Sequence, residues 1–419
     1  MNTIDNILLQ LPKMASGMEL ESRLAILPEY DADIRQKDQS ERLLGLQDLY
    51  GVYIPSAMSV EIYSKLYLAM LHSLQKKQTK MAIKQGYENH KAMFNKSYDS
   101  IMGGSDSFTI IGISGIGKSS AVSRAIEVMT ENHIIKIQNP YVKIIPCLVV
   151  QCPYDSSVKG MLLEILRKVD EVLGTDNYRN AIRARATTDM LIGSVSQICL
   201  NHIGLLVCDE IQHVVNSKNG KNLIGALTQL INNSGISICM VGTPEAVPFF
   251  QQAMQLARRS IGLHYSVMEY GAEFQTVCKV LFSYQYVKNE EELTDDILYW
   301  LYEHSGGVIS IVVSLIHDAQ EIAILTGKER LDSGTLNEAY QKRMTLLHGY
   351  IQPTVTCKPQ AGKAKKPIHN KIECVGDTAA QAETENYITI AELAKVAKKD
   401  GMDMVSLLRE HFTVEEVAV

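Results

Sequence analysis

The sequence predicts an α/β fold: a parallel sheet sandwiched by helices, followed by a helical lid subdomain and a small helical tail. Three features predict it. From about residue 105 to 265, short apolar runs alternate with longer helical stretches. These runs are apolar throughout, as strands covered on both faces require. A Gly-rich loop joins the first run to a helix, and two adjacent carboxylates close a later one. Residues 271–347 then lose the strand rhythm and keep only helical spacing.

The elements follow in order. Residues 1–50 are mixed and charged with weak helical periodicity, which suits a flexible arm or a docking segment. After the Tyr53-Ile54-Pro55 break, Val60, Ile62, Tyr63, Leu66, Tyr67, Met70, Leu71 and Leu74 recur at helical spacing, predicting a helix over about 59–77. A second, polar helix runs to about Tyr98, and MGGSD at 102–106 ends it. Strands are expected at Phe108–Ile113, Val142–Gln151, Ile203–Cys208 and Ile236–Val241, with helices near 117–130, 156–173, 185–200 and 220–232. The lid is expected to hold helices at 295–304, 308–325 and 333–346, with Ser305-Gly306-Gly307 between the first two. The resulting organisation is an N-terminal arm and helical lead-in (1–104), the α/β core (105–265), the lid (266–350), a basic flexible linker (351–385) and the helical tail (386–419). Lys358, Lys363, Lys365, Lys366 and Lys371 make the linker basic. It reads equally as a tether for a partner or as a solubilising tail.

Composition narrows the function. Of 419 residues, 46% are apolar and 21% charged, so a large core can form. The formal net charge of −6 excludes a strong global attraction to nucleic acid; any DNA contact must be a local basic surface. The eight cysteines form no C-x-x-C pair, which points to buried reduced thiols rather than a metal site. No signal-peptide pattern opens the chain, and no apolar run reaches the ~18 residues of a membrane span. A cytoplasmic protein without a membrane partner is expected.

The sharpest motif is GISGIGKS, Gly112–Ser119, which fits the phosphate-binding P-loop pattern. Its glycines let successive backbone N–H groups face a phosphate, and the helix starting near Gly117 adds its positive end. Gly112, Ser114, Gly115, Ile116, Gly117, Lys118, Ser119 and Ser120 are the candidate nucleotide-binding residues. Lys118 reaches the β- and γ-phosphates, and the Ser119 hydroxyl ligates Mg²⁺. GLLVCDE then delivers Asp209 and Glu210 at the C-terminal end of an apolar strand, where open α/β sheets bind ligands. Asp209 suits Mg²⁺, and Glu210 suits the orientation of an attacking water, which hydrolysis needs and nucleotide binding alone does not. A third apolar strand ends at Thr243, within ICMVGTPE, a candidate sensor of the γ-phosphate or the water. Arg258-Arg259 follows, either a solvated basic pair or a finger for a neighbouring subunit's site. The expected cofactors are ATP and Mg²⁺.

GISGIGKSS, LLVCDEIQHV, ICMVGTPEA, LARRS and the lid segment HSGGVISIVVSLIHDAQEIAILTGKERL together resemble the TnsC/TniB family of AAA+ ATPases, regulators of DNA transposition. The lead-in YIPSAMSVEIYSKLYLAML resembles that family too, so the similarity covers about residues 50–347. The resemblance implies an AAA+ P-loop NTPase in which the Thr243 strand lies between the P-loop strand and the Asp209 strand. It implies ATP-bound subunits that assemble as rings or helical filaments on double-stranded DNA and connect a target-selection protein, or a guide-RNA complex, to a transposase. Hydrolysis would promote disassembly. One departure is plain: many AAA+ lids carry an arginine just after the Gly-Gly turn, and here Val308, Ile309 and Ser310 follow it. His317 is the nearest basic residue downstream. A slow, switch-like ATPase is expected.

For DNA, the segment after the second strand offers Lys159, and a loop over 176–185 offers Arg179, Arg183 and Arg185, which the resemblance places towards the DNA backbone. Phosphate contacts of this kind bind with little sequence preference and steep salt dependence. The competing readings are an AAA+ switch of a secretion or signalling system without DNA, a P-loop phosphotransferase, and a nucleotide-binding scaffold. Glu210 argues against the last two.

Overall fold

A computed structural model describes residues 9–77, 80–95, 107–138, 141–215, 217–252 and 262–345. The linker, the helical tail and the Arg258-Arg259 pair lie outside the described residues.

The N-terminal segment is packed, not loose, from residue 9 onward. Helix α1 (Gly17–Leu24) buries Leu20 and Leu24, and short helices α2 (Gln39–Gly45) and α3 (Asp48–Gly51) bury Leu49 and the Leu46 beside it. The difference from a flexible arm has a sequence cause. These leucines are spaced too irregularly to show one apolar face, because they serve two cores. Leu20 and Leu24 join the sheet-facing core, while Leu46 and Leu49 join the lid core with Phe274, Leu281 and Tyr286. Side chains fasten the segment: the Tyr63 hydroxyl accepts from the Ala15 N–H at 3.0 Å, and Arg124 donates to the Leu24 and Arg23 carbonyls at 2.9 and 2.7 Å.

Helix α4 (Ala57–Lys76) matches the predicted lead-in and starts at a capping box of Ser56 and Ser59. Helix α5 (Lys80–Asn95) follows. The described strands are β1 (Phe108–Gly112), β2 (Ile135–Gln138), β3 (Tyr141–Gln151), β4 (Ile203–Asp209), β5 (Ser237–Gly242) and β6 (Leu263–Tyr265). They form one sheet in the order β2-β3-β4-β5-β1-β6, parallel except for β2 against β3. The four predicted strands are there within two residues of their expected ends. Strands β1 and β5 are buried along their whole length, which is why their sequences read as unbroken apolar runs. The edge strands β2 and β6 escaped prediction because they have only 4 and 3 residues.

Helices cover both faces. Helix α6 (Lys118–Thr130) packs with α1 and α4 on one side. Helices α7 (Val158–Leu173), α9 (Thr188–His202) and α10 (Gly220–Ser234) cover the other. Between α7 and α9 the expected loop over 176–185 is instead a short helix, α8 (Asn177–Arg183), up to residue 183. The Asp170 carboxylate anchors its first turn, accepting from the Asn177 side chain at 3.0 Å and the Tyr178 N–H at 2.7 Å. Helix α11 (Val247–Gln252) follows β5.

The lid contains α12 (Ala272–Ser283), which sequence periodicity did not single out, then α13 (Asp295–Ser305), α14 (Ile309–Thr326) and α15 (Ser333–Arg343). Helix α14 is long and apolar enough to cross a membrane by length and composition. Here Val312, Leu315, Ile316, Ala319 and Ala323 are the centre of the lid core. The cysteines at 147, 152, 199, 208, 239 and 278 are unpaired, all but Cys147 buried, and burial pushes the Cys152 and Cys199 thiols up to about 11 and about 12.

Candidate nucleotide site

The sheet order places β5 between β1 and β4. The loops leaving the C-terminal ends of these three strands therefore converge, and they carry Gly112–Ser119, Asp209–Glu210 and Thr243. This is the arrangement the sequence resemblance implied.

The P-loop bends where only glycine is comfortable. Gly115 and Gly117 have φ of +85° and +95°, the left-handed region that side chains disfavour. Helix α6 starts at Lys118, so the free N–H groups of its first turn face the loop. Lys118 is buried and donates from Nζ to the Ile113 carbonyl at 2.7 Å. Burial lowers its pKa from the ordinary lysine value, while Asp209, Glu210 and Glu245 oppose that shift. Ser119 donates its hydroxyl to Asp209 Oδ2 at 3.2 Å. Ser114, Ser119 and Ser120 are exposed, while Ile116 is buried.

Asp209 and Glu210 have different partners at the end of β4. Asp209 accepts the Glu210 N–H at 2.8 Å through Oδ1, and its carbonyl accepts the Cys152 N–H at 2.8 Å. Glu210 adopts a left-handed backbone, φ 58° and ψ 35°, and caps a 3₁₀ turn over Ile211–Val214. Its carboxylate accepts from the side-chain amide of Gln212. The amide oxygen of Gln212 in turn accepts the backbone N–H of Thr243 at 3.3 Å. The Thr243 hydroxyl pairs with Glu245. Gln212 was not singled out in the sequence, where a glutamine two residues after a carboxylate pair carries no signal.

A cleft of about 270 Å³ opens beside the P-loop. Gly115, Ile116, Gly117 and Ser120 form its floor, the stretch from Leu49 to Ser59 one wall, and Met268, Ile309, Ser310, Val313 and Ser314 the other. It is largely apolar, with a few hydroxyls. At the lid position where many AAA+ proteins have an arginine, the Ser310 N–H donates to the Gly115 carbonyl at 3.2 Å. A Cβ at Gly115 would lie 2.4 Å from Ser310 Oγ, so lid and P-loop are in direct contact. His317 points elsewhere: its ring packs 4.7 Å from that of Tyr50 and pairs with Asp318 at 3.0 Å.

The candidate DNA residues do not form one patch. Lys159 is exposed near the N-terminal end of α7, just beyond the C-terminal end of β3. Arg179, Arg183 and Arg185 are exposed too, but they follow the other end of that helix, and Arg179 pairs with Asp176 at 3.3 Å. Eleven residues from Lys159 to Asp170 at ~1.5 Å each separate the two groups by roughly 16 Å. Near Lys159 the structure places residues that sequence reasoning missed. Tyr154 is 87% exposed. The segment carrying exposed Lys218 and Lys221 is tied to it, because Ser217 and Asn219 both donate to the Asp155 carbonyl, at 2.8 and 3.3 Å. A tyrosine and three lysines thus share one edge, though they come from segments some sixty residues apart.

The family model described as the bacterial TniB protein matches residues 91–266, from the end of α5 to just past β6. No curated protein matches the chain. Among solved structures, the Aeropyrum pernix ORC1 protein in complex with DNA is 13% identical, with a TM-score of 0.41, over 63% of this chain and 65% of that one, so the chain spans just under two thirds of it. Drosophila ORC bound to DNA is 12% identical, with a TM-score of 0.44, over 80% and 70%. Domain III of the Thermotoga maritima replication initiation protein DnaA is 14% identical, with a TM-score of 0.31, over 66% and 94%.

Proposed function

We propose that this chain, whose residues 91–266 match the bacterial TniB family model, is an ATP-hydrolysing AAA+ regulator of transposition that assembles on target DNA. The observation that carries the enzymatic part is the contact of Ser119 with Asp209 beside Lys118 and Glu210.

The hydroxyl of Ser119 and the carboxylate of Asp209 are hard oxygen donors already at hydrogen-bond distance, and they would hold a Mg²⁺ ion. When bound there, the ion would supply charge neutralisation for the β- and γ-phosphates. The backbone of Gly112–Ser120 cradles the phosphates, and Lys118 moves from the Ile113 carbonyl to the β- and γ-oxygens. Glu210 orients a water towards the γ-phosphorus and draws on its proton as the bond to the bridging oxygen breaks. Thr243 reports the γ-phosphate from the end of β5. The base sits in the cleft between Leu49–Ser59 and the lid, and Ser310 closes the lid onto the P-loop by a backbone contact rather than an arginine. That substitution supports slow hydrolysis: a turnover number above about 10 s⁻¹ would count against it. Arg258 or Arg259 acts in trans on a neighbouring subunit's γ-phosphate.

DNA binds through phosphate contacts. Tyr154, Lys159, Lys218 and Lys221 form the first surface, and Arg179, Arg183 and Arg185 form a second, about 16 Å away. In the assembly, the ATP-bound form marks the target and links a target-selection protein or guide-RNA complex to the transposase, and hydrolysis releases it.

Binding to duplex DNA across a salt series, with a slowly hydrolysed ATP analogue against ADP, tests this. Binding with the analogue should weaken steeply with salt. Lys218→Glu with Lys221→Glu should reduce it at least tenfold, and Arg179→Glu with Arg183→Glu by less. If neither pair changes ATP-dependent binding, or none occurs while ATP is hydrolysed, the chain is an AAA+ switch for another partner.

A further inference from the structure

Gln212 makes two contacts that no water-activating glutamate needs in order to exist, and together they join two parts of the site. Its amide nitrogen donates to the Glu210 carboxylate, and its amide oxygen accepts the Thr243 N–H at 3.3 Å. The orientation of the amide is fixed by chemistry. An ionised carboxylate only accepts, and a backbone N–H only donates, so a flipped amide would lose both bonds. Space for the side chain is reserved at the end of β5. A Cβ on Gly242 would lie 2.9 Å from Gln212 Oε1 and 2.8 Å from Ile211 Cγ2. The backbone leading in is equally constrained, with Glu210 in the left-handed region and its N–H held by Asp209.

We propose that Gln212 is a positioning residue: it occupies one oxygen of Glu210, leaves the other for the attacking water, and ties the carboxylate to the strand end that carries Thr243. This rests on the reading of Glu210 as the group that orients water. A shift of Thr243 with the state of the γ-phosphate is then transmitted through one amide to the carboxylate, which makes the rate of hydrolysis depend on the strand that senses the nucleotide. A carboxylate free to choose among rotamers would lose the near-attack geometry that positioned groups supply.

The test is single-turnover hydrolysis of labelled ATP by the full chain, with nucleotide affinity measured in parallel. Gln212→Glu is isosteric, keeps an acceptor for the Thr243 N–H and sets a second carboxylate against Glu210. It should lower the hydrolysis rate at least tenfold and change ATP affinity by no more than about twofold. Gln212→Met, similar in length and uncharged, repeats the test should the added charge impair folding. In a Glu210→Gln background, Gln212→Glu should cost nothing further, because it restores an amide–carboxylate pair with the roles exchanged and the activating carboxylate is already gone. A wild-type rate in both Gln212 variants overturns the proposal, as does an equal loss in the Glu210→Gln background. If Glu210→Gln alone hydrolyses at the wild-type rate, the premise about Glu210 fails first, and the role of Gln212 falls with it.

Discussion

Arg42→Ala should loosen the wall of the base cleft from a distance. Arg42 is 2% exposed and lies in α2, outside the P-loop core. Its guanidinium makes a two-pronged bond to Glu329, at 2.6 and 2.8 Å, and donates to the Tyr286 carbonyl at 3.1 Å. Glu329 belongs to the lid, so one ion pair fastens the N-terminal segment to it. Removing one partner of a fully buried pair costs about 3–5 kcal/mol, because the other charge is left uncompensated. Two facts reduce that here. The Glu329 side chain is 15% exposed, and it keeps the Lys288 N–H at 3.2 Å. The expected loss is therefore roughly 2–3 kcal/mol, which for a unit of this size lowers Tm by about 3–4 °C. Leu49 to Ser59 follows directly and walls the cleft, so ATP affinity should fall as well. Thermal unfolding and nucleotide titration measure both. Arg42→Met with Glu329→Leu should recover part of the loss, since an apolar pair leaves no orphan charge. A change under about 1 kcal/mol in Arg42→Ala, or a double variant as poor as the sum of the singles, would refute the reasoning.

Other outcomes follow from the same geometry. Gly115→Ala adds a Cβ 2.4 Å from Ser310 Oγ at a φ of +85°; ATP affinity should drop at least tenfold, about 1.4 kcal/mol, by calorimetry. Lys118→Ala should abolish nucleotide binding in the same assay while leaving Tm within a few degrees. The Arg42 guanidinium holds Glu329 below the usual carboxylate range. Its stabilisation is therefore complete above the unfolded pKa of about 4.3 and is lost as pH falls through the lower folded value. Acid unfolding curves of wild type and Glu329→Gln should differ fully above about pH 4.3 and converge only once the pH has dropped below the lowered folded value. Tyr154→Ala should weaken DNA binding without altering hydrolysis in the absence of DNA, as filter binding and phosphate release would report.

Much of this molecule was legible in its sequence because its central strands are buried on both faces. Phe108–Gly112 and Ser237–Gly242 announce themselves as apolar runs, and the P-loop glycines are needed at fixed spacing by backbone geometry. The position of Thr243 between the P-loop and Asp209 follows from the sheet order. What stayed hidden depends on contacts between distant segments. Leu46 and Leu49 look unremarkable until the lid packs on them. Tyr154 and Lys218 become neighbours only when Ser217 and Asn219 bind the Asp155 carbonyl. Arg179 and Lys159 are close in sequence yet stand apart, because the straight helix α7 holds their segments at opposite ends. Gln212 has meaning only through Thr243, some thirty residues away.

ATP-gated assembly on DNA is tested by negative-stain electron microscopy of the purified protein with duplex DNA. Rings or filaments should form with a slowly hydrolysed analogue and none with ADP. Glu210→Gln should hold them with ordinary ATP, and Lys118→Ala should not form them at all. The same particles with analogue, ADP and Lys118→Ala, or no assembly on DNA under any nucleotide, would contradict it.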